Sequence, residues 1–109
     1  MLRVIIESPF KATNPFMSGL YRDYLREAIF NSLRKNEAPF ASHGFYTYFL
    51  NDAILSERIK GMEAGFAWGK IAEKVAVYYD LGISKGMAQG IIRARQNKIP
   101  IEFRKLWRG

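Results

Sequence analysis

Residues 74–87, KVAVYYDLGISKGM, carry the decisive signal. The run Lys74-Val75-Ala76-Val77-Tyr78-Tyr79 is nearly all apolar, the pattern of a central strand covered on both faces. It stops at Asp80 and turns at Gly82, and Ser84 then caps a helix whose apolar positions Met87, Ile91 and Ala94 recur at helical spacing. A buried strand that runs straight into a helix is one half of a crossover unit, so a parallel sheet is expected.

The same alternation extends in both directions. Residues 2–7, LRVIIE, form a β-branched run stopped by Ser8-Pro9, and after the turn-rich segment Lys11 to Pro15, Ser18 is the expected cap of a first helix. Leu20, Tyr24, Leu25, Ala28, Ile29, Ser32 and Leu33 share its spacing, and it should end near Asn36. Ala38 to Ser42 fits a short second strand, followed by an irregular aromatic loop, His43 to Asn51. Ser56-Glu57 opens a second helix with Ile59, Met62, Phe66 and Ala67 on one face, while Gly61, Ala64, Gly65 and Gly69 leave a thin side for close packing. After Asn97, Ile99 to Phe103 supplies a last strand, which Pro100 assigns to an edge. The order βαβαβαβ predicts one domain over residues 1–109. Its fold is a small three-layer α/β sandwich with a four- or five-stranded, mainly parallel sheet of flavodoxin-like type.

Bulk properties narrow the function. A chain of 109 residues, 49% hydrophobic and 25% charged, suits one core, and with no low-complexity stretch order is expected nearly end to end. The absence of cysteine excludes a disulfide framework and a zinc knuckle and fits a reducing compartment. The apolar start, Met1 to Glu7, is too short for a signal core or a membrane span, so a cytoplasmic protein without membrane contact is expected. Seventeen Lys and Arg against ten Asp and Glu give a net charge of +7, which favours phosphorylated ligands or polyanions. The basic residues are scattered over Arg22, Arg26, Arg34, Arg58, Lys60, Lys70, Arg93 and Arg95 and gather only at Arg104-Lys105 and Arg108. That dispersal reads as solvated helix faces, and nucleic acid is not the expected partner.

Parallel strands deliver their following loops to one sheet edge, where ligands bind in open α/β sheets. Here that edge collects Ser8, Pro9 and Phe10 after the first strand, Ser42 and His43 after the second, and Asp80, Gly82, Ile83, Ser84 and Met87 after the third. Gly82 permits close backbone approach, the helix start offers N–H groups to an anion, and Asp80 could accept from ribose hydroxyls. The competing reading is a plain turn with Gly82 at positive φ, Ser84 as cap and Asp80 bonding the turn's own amides. Ser8 and nearby amides could hold a phosphate or a base edge and Phe10 could stack on a ring, against a Ser-Pro turn with Phe10 in the core. His43, the sole histidine, sits beside the aromatic walls Phe45, Tyr46 and Tyr48 and could bond a phosphate or a base, or titrate as acid or base. One histidine, no cysteine and no carboxylate cluster argue against a metal site, and no cofactor is expected. Glu63, between Met62 and Phe66, is the candidate buried carboxylate, although a surface contact with basic neighbours is the stronger reading. Trp68 and Trp107 suit packing or an interface. The glycine-rich second helix with Tyr46, Phe49 and Trp107 suggests a homo-oligomer, a dimer or higher.

On Glu7-Ser8-Pro9-Phe10, Ala38-Pro39-Phe40-Ala41-Ser42-His43, Glu57-Arg58 and Asp80-Leu81-Gly82-Ile83-Ser84, the chain resembles the nucleoside 2-deoxyribosyltransferase-like superfamily, in its small phage-encoded branch. The resemblance implies a first strand ending in a small-residue and proline turn, and a strand ending in aspartate that leads into a helix bearing a glutamate nucleophile. Gly86 or Met87 stands where that glutamate should fall, and neither can attack an anomeric carbon. Only a carboxylate brought from elsewhere, Glu7 or Glu63, could replace it. The resemblance therefore implies a pocket without its nucleophile: a protein that binds and sequesters a nucleotide-derived signal of the ADP-ribose type. A nucleoside or nucleotide N-glycosidase, or a deoxyribosyltransferase-like enzyme, is the alternative.

Overall fold

The structure, a computed structural model, describes residues 1–107. Arg108 of the basic C-terminal group lies outside them. Strand β1 (Arg3–Glu7) leads through α1 (Pro15–Arg34) to β2 (Ala38–Phe40), and two 3-10 turns, Ser42–Gly44 and Tyr46–Tyr48, then precede α2 (Leu55–Gly69). Strand β3 (Lys74–Tyr78), α3 (Lys85–Gln96) and β4 (Ile101–Arg104) complete the chain. All four strands are parallel, in the order β2-β1-β3-β4, with Ile5 opposite both Phe40 and Val75. Pro39 lies in the edge strand β2 and Pro100 just before the edge strand β4, so neither interrupts a ladder between central strands. This is a three-layer α/β sandwich with a four-stranded parallel sheet. No helix among the described residues is long and apolar enough to cross a membrane.

Strand parity sorts the core into two layers. Val4, Ile6, Ala76 and Tyr78 face α1 and bury Tyr24, Leu25 and Ala28. Ile5, Val75, Val77 and Ile101 face the other way and bury Met87, Ile91 and Ala94 of α3. Residues 75–78 are buried throughout, as a strand covered on both faces must be. Helix α2 lies on the α3 side and has no fully buried residue. Its thin side is used in part: a Cβ on Gly61 would crowd Leu50, one on Gly65 would collide with Ser42, and Gly69 faces open space.

Three expectations need correction, the last strand first, since it spans Ile101–Arg104 and not Ile99 to Phe103. Helix α1 starts earlier than Ser18, because Asn14 takes an extended conformation and its side chain accepts from the Met17 amide at 2.9 Å, with Pro15 at the first helical position. The second strand ends at Phe40, and Ser42 already belongs to a 3-10 turn.

One helix cannot cover four strands, and the part of the α1 face over β3 and β4 is closed by charge instead. Arg104 forms a bidentate pair with Glu37 at 2.8 and 2.7 Å and also donates to the Tyr78 hydroxyl, while Lys74 reaches Glu102 at 2.9 Å. Ser32 donates to Glu37, and Tyr78 donates to Asn31 of α1. The hydrogen bonds from Arg104 hold Glu37 below its ordinary range, and those from Arg104 and Lys74 take Glu102 down to about 2.

Candidate functional site

In this strand order the path of the chain diverges between β1 and β3, since β1 leads one way to β2 and β3 leads the other way to β4. Loops leaving the two strands separate, and a crevice opens beyond their carboxyl ends. A cavity of about 760 Å³ opens there and continues along the sheet face between α2 and α3, a size in the range of small-molecule sites. Ile5, Glu7 and Val75 form its floor, Ile59, Met62 and Phe66 of α2 one wall, and Met87, Gly90 and Arg93 of α3 the other. The loop after β1 and the 3-10 turns after β2 close its end.

Glu7 is placed there by parity. Because Val4 and Ile6 point under α1, Ile5 and Glu7 must point to the opposite face, and at Glu7 that face is the cavity. Burial pushes its carboxyl up to about 8, and among the described residues no hydrogen bond or ion pair counters this. At neutral pH the group is therefore mainly the neutral acid, able to donate as well as accept. Gly90 makes room for it: a Cβ at that position would overlap the Glu7 carboxylate. A glycine inside α3 costs about 1 kcal/mol in helix propensity, which the close approach explains.

Beside Glu7, the Ser8 hydroxyl and His43 Nε2 lie 2.8 Å apart, a hydrogen bond that ties the loop after β1 to the loop after β2. Burial lowers His43 to about 4, so its imidazole is neutral at neutral pH. Phe10 packs edge-on against the imidazole, with ring centroids 5.9 Å apart, and the Thr47 hydroxyl donates to the His43 carbonyl at 2.8 Å. A neutral floor is thus joined to a charged lining in which Lys11, Arg58, Lys85 and Arg93 outnumber the carboxylates Asp52 and Glu57. The Arg93 guanidinium sits 4.4 Å from the Phe66 ring centroid, a cation–π contact that links α3 to α2 across the opening.

Of the residues singled out in the sequence, Ser8, Phe10, Ser42, His43, Ser84 and Met87 line the cavity together. Ser84 caps α3 by accepting from the Met87 amide at 3.3 Å, and the Met87 sulfur accepts from the Ser84 amide at 3.4 Å. Pro9, Asp80, Gly82 and Ile83 are not part of the lining. Gly82 has a φ of 91°, the left-handed conformation a glycine turn supplies, and Ile83 is half-exposed. The Asp80 carboxylate is occupied elsewhere. It accepts from the Tyr24 hydroxyl at 2.6 Å and from the Leu106 and Trp107 amides at 2.8 and 3.0 Å. Burial opposes its charge, but these bonds outweigh burial and hold it below its ordinary range. Asp80 thereby fastens the chain end beneath α1, where Trp107 packs edge-on against Tyr24.

Glu63 is exposed and lies 4.0 Å from Lys60, a surface pair. Reasoning from the sequence gave the site's central role to the turn after β3 and treated Glu7 only as a conditional substitute. The signal that would have found it is the parity of LRVIIE combined with a glycine inside a well-formed helix. No group of three His, Asp or Glu residues that could hold a metal ion occurs among the described residues. No curated protein and no solved structure matches the chain. A family match does extend over residues 2–104, from the first strand through the last, and on it the chain belongs to the family described as Domain of unknown function (DUF7768).

Proposed function

We propose that the chain binds a nucleotide-derived small molecule in the cavity between β1, α2 and α3 and holds it without turnover. One observation carries this reading: Glu7, a carboxyl without a protein partner among the described residues, stands next to the neutral Ser8–His43 pair on the floor of a cavity whose other charged lining residues are four cations against two carboxylates. A neutral acid, a hydroxyl and an imidazole match the donor and acceptor edge of a base or sugar, and Lys11, Arg58, Lys85 and Arg93 match phosphate. The same protonation states disfavour reaction, because a protonated carboxyl is no nucleophile and an imidazole at about 4 is a weak base. Together with the superfamily resemblance, this supports sequestration of an ADP-ribose-type immune signal by a phage protein in the host cytosol. Exposed Phe45, Phe49, Leu55, Ile59 and Trp68, on α2 and the turns before it, support a homo-oligomer, and sedimentation velocity should show a dimer or larger species.

Isothermal titration with AMP and ADP-ribose tests the binding. Both should bind at pH 7, Glu7→Gln should retain affinity as a neutral isostere, and Glu7→Ala should lose it. Absence of binding by every nucleotide class tried would overturn the reading.

The Glu7–Gly90 contact favours a second reading. Glu7 brings its carboxyl from β1 against α3, the helix on which the resemblance implies the nucleophile, and the proton it keeps near neutral pH is what a general acid gives to a departing base. Release of free base, seen by chromatography and abolished by Glu7→Gln, would establish N-glycosidase action in place of binding.

A further inference from the structure

Phe10 and Thr47 each have a second neighbourhood. Besides lining the main cavity, they border a separate groove of about 450 Å³ on the α1 side, where Arg22, Arg26 and Phe30 of α1 meet Gly44 and Tyr48. Arg22 and Arg26 are four residues apart and so share one helix face. Both are exposed, and among the described residues neither is in an ion pair. The Arg26 guanidinium lies 5.6 Å from the Phe30 ring centroid, and Tyr48 is 80% exposed. Two free guanidiniums flanked by three aromatic rings, Phe10, Phe30 and Tyr48, supply what a ring-bearing phosphate ester needs, a stacking surface and a planar anion clamp.

We infer that the groove is a second subsite, and that the ligand is a molecule of dinucleotide length whose two ring-bearing arms lie on either side of Phe10, joined by phosphates. This deepens the binding proposal and rests on it. One arm enters the main cavity toward Glu7 and His43. The linking phosphates pass Phe10 near Lys11, and the other arm stacks against Tyr48 and Phe30 within reach of Arg22 and Arg26. A mononucleotide has only the first arm and forgoes the groove.

The test compares AMP with P1,P2-diadenosine diphosphate by isothermal titration against the wild-type chain and the double variant R22A/R26A. Diadenosine diphosphate should bind the wild type about tenfold or more tighter than AMP, and the double variant should reduce that ratio to near one. Tyr48→Ala, on a different segment, should reduce the ratio as well, which separates loss of the subsite from any disturbance of α1. AMP binding without a preference for the longer probe, or a preference that survives both variants, would overturn the second subsite and leave the main cavity's role standing. Failure of both probes to bind the wild type would overturn the two readings together.

Discussion

Glu7 makes the chain's stability depend on pH in a way that can be worked out. Its folded value of about 8 lies above its unfolded 4.5, so between those limits the folded state binds more protons and stability falls as pH rises. His43 has the opposite sign: folded about 4 and unfolded 6.5, it makes stability rise with pH across that lower window. The two effects oppose each other up to about pH 7.5, where the unfolded imidazole has lost its proton, and above it Glu7 acts alone. Urea denaturation should therefore show stability falling by about 1 kcal/mol from pH 6.5 to 8, a decline absent in Glu7→Gln. Gly90 gives a second expectation. Gly90→Ala brings a methyl group against the Glu7 carboxylate, the far end of a flexible side chain that can swing into the cavity, so stability should hold or rise by up to about 1 kcal/mol from the better helix propensity of alanine. Urea denaturation checks this, and the displaced Glu7 should weaken AMP binding in the same variant.

At the level of elements, caps and parity explain most of the layout. The Ser84 cap and the helix after it are where the sequence pattern puts them, because a strand end, a glycine turn and a hydroxyl are adjacent in the chain. The start of α1 was misread for a local reason: Asn14 and Ser18 are both competent caps, and Pro15 at the first helical position together with the extended backbone at Asn14 selects the first. Asn14→Ala should accordingly lower stability by about 1 kcal/mol in thermal or urea unfolding, while Ser18→Ala, inside the helix, should change it little. The glycines of α2 show the same limit of local reading. Gly61 and Gly65 lie against Leu50 and Ser42 as their thin side implies, whereas Gly69, in the same row, meets nothing within 4 Å.

Across the whole molecule, the uncovered half of the α1 face depends on Arg104. Arg104→Met leaves buried Glu37 with only Lys74 at 3.6 Å and the Ser32 hydroxyl and should destabilise by about 2–3 kcal/mol, and replacing Glu37 by Met as well should recover part of the loss in equilibrium unfolding. No sequence pattern announces that network, since Glu37 and Arg104 are 67 positions apart. The alternation of strands and helices, the parallel sheet and the assignment of β4 to an edge follow from periodicity and punctuation, which are properties of neighbouring residues. The position of the cavity edge follows from topology, and Ser8, His43 and Ser84 were legible as its members on that basis. What only tertiary structure decided is how each group at that edge is used: Asp80 turned away to hold residues 106 and 107, and Glu7 turned inward against Gly90. Burial and partner choice depend on segments distant in the chain, and they determine whether a carboxylate fastens a loop or faces a ligand.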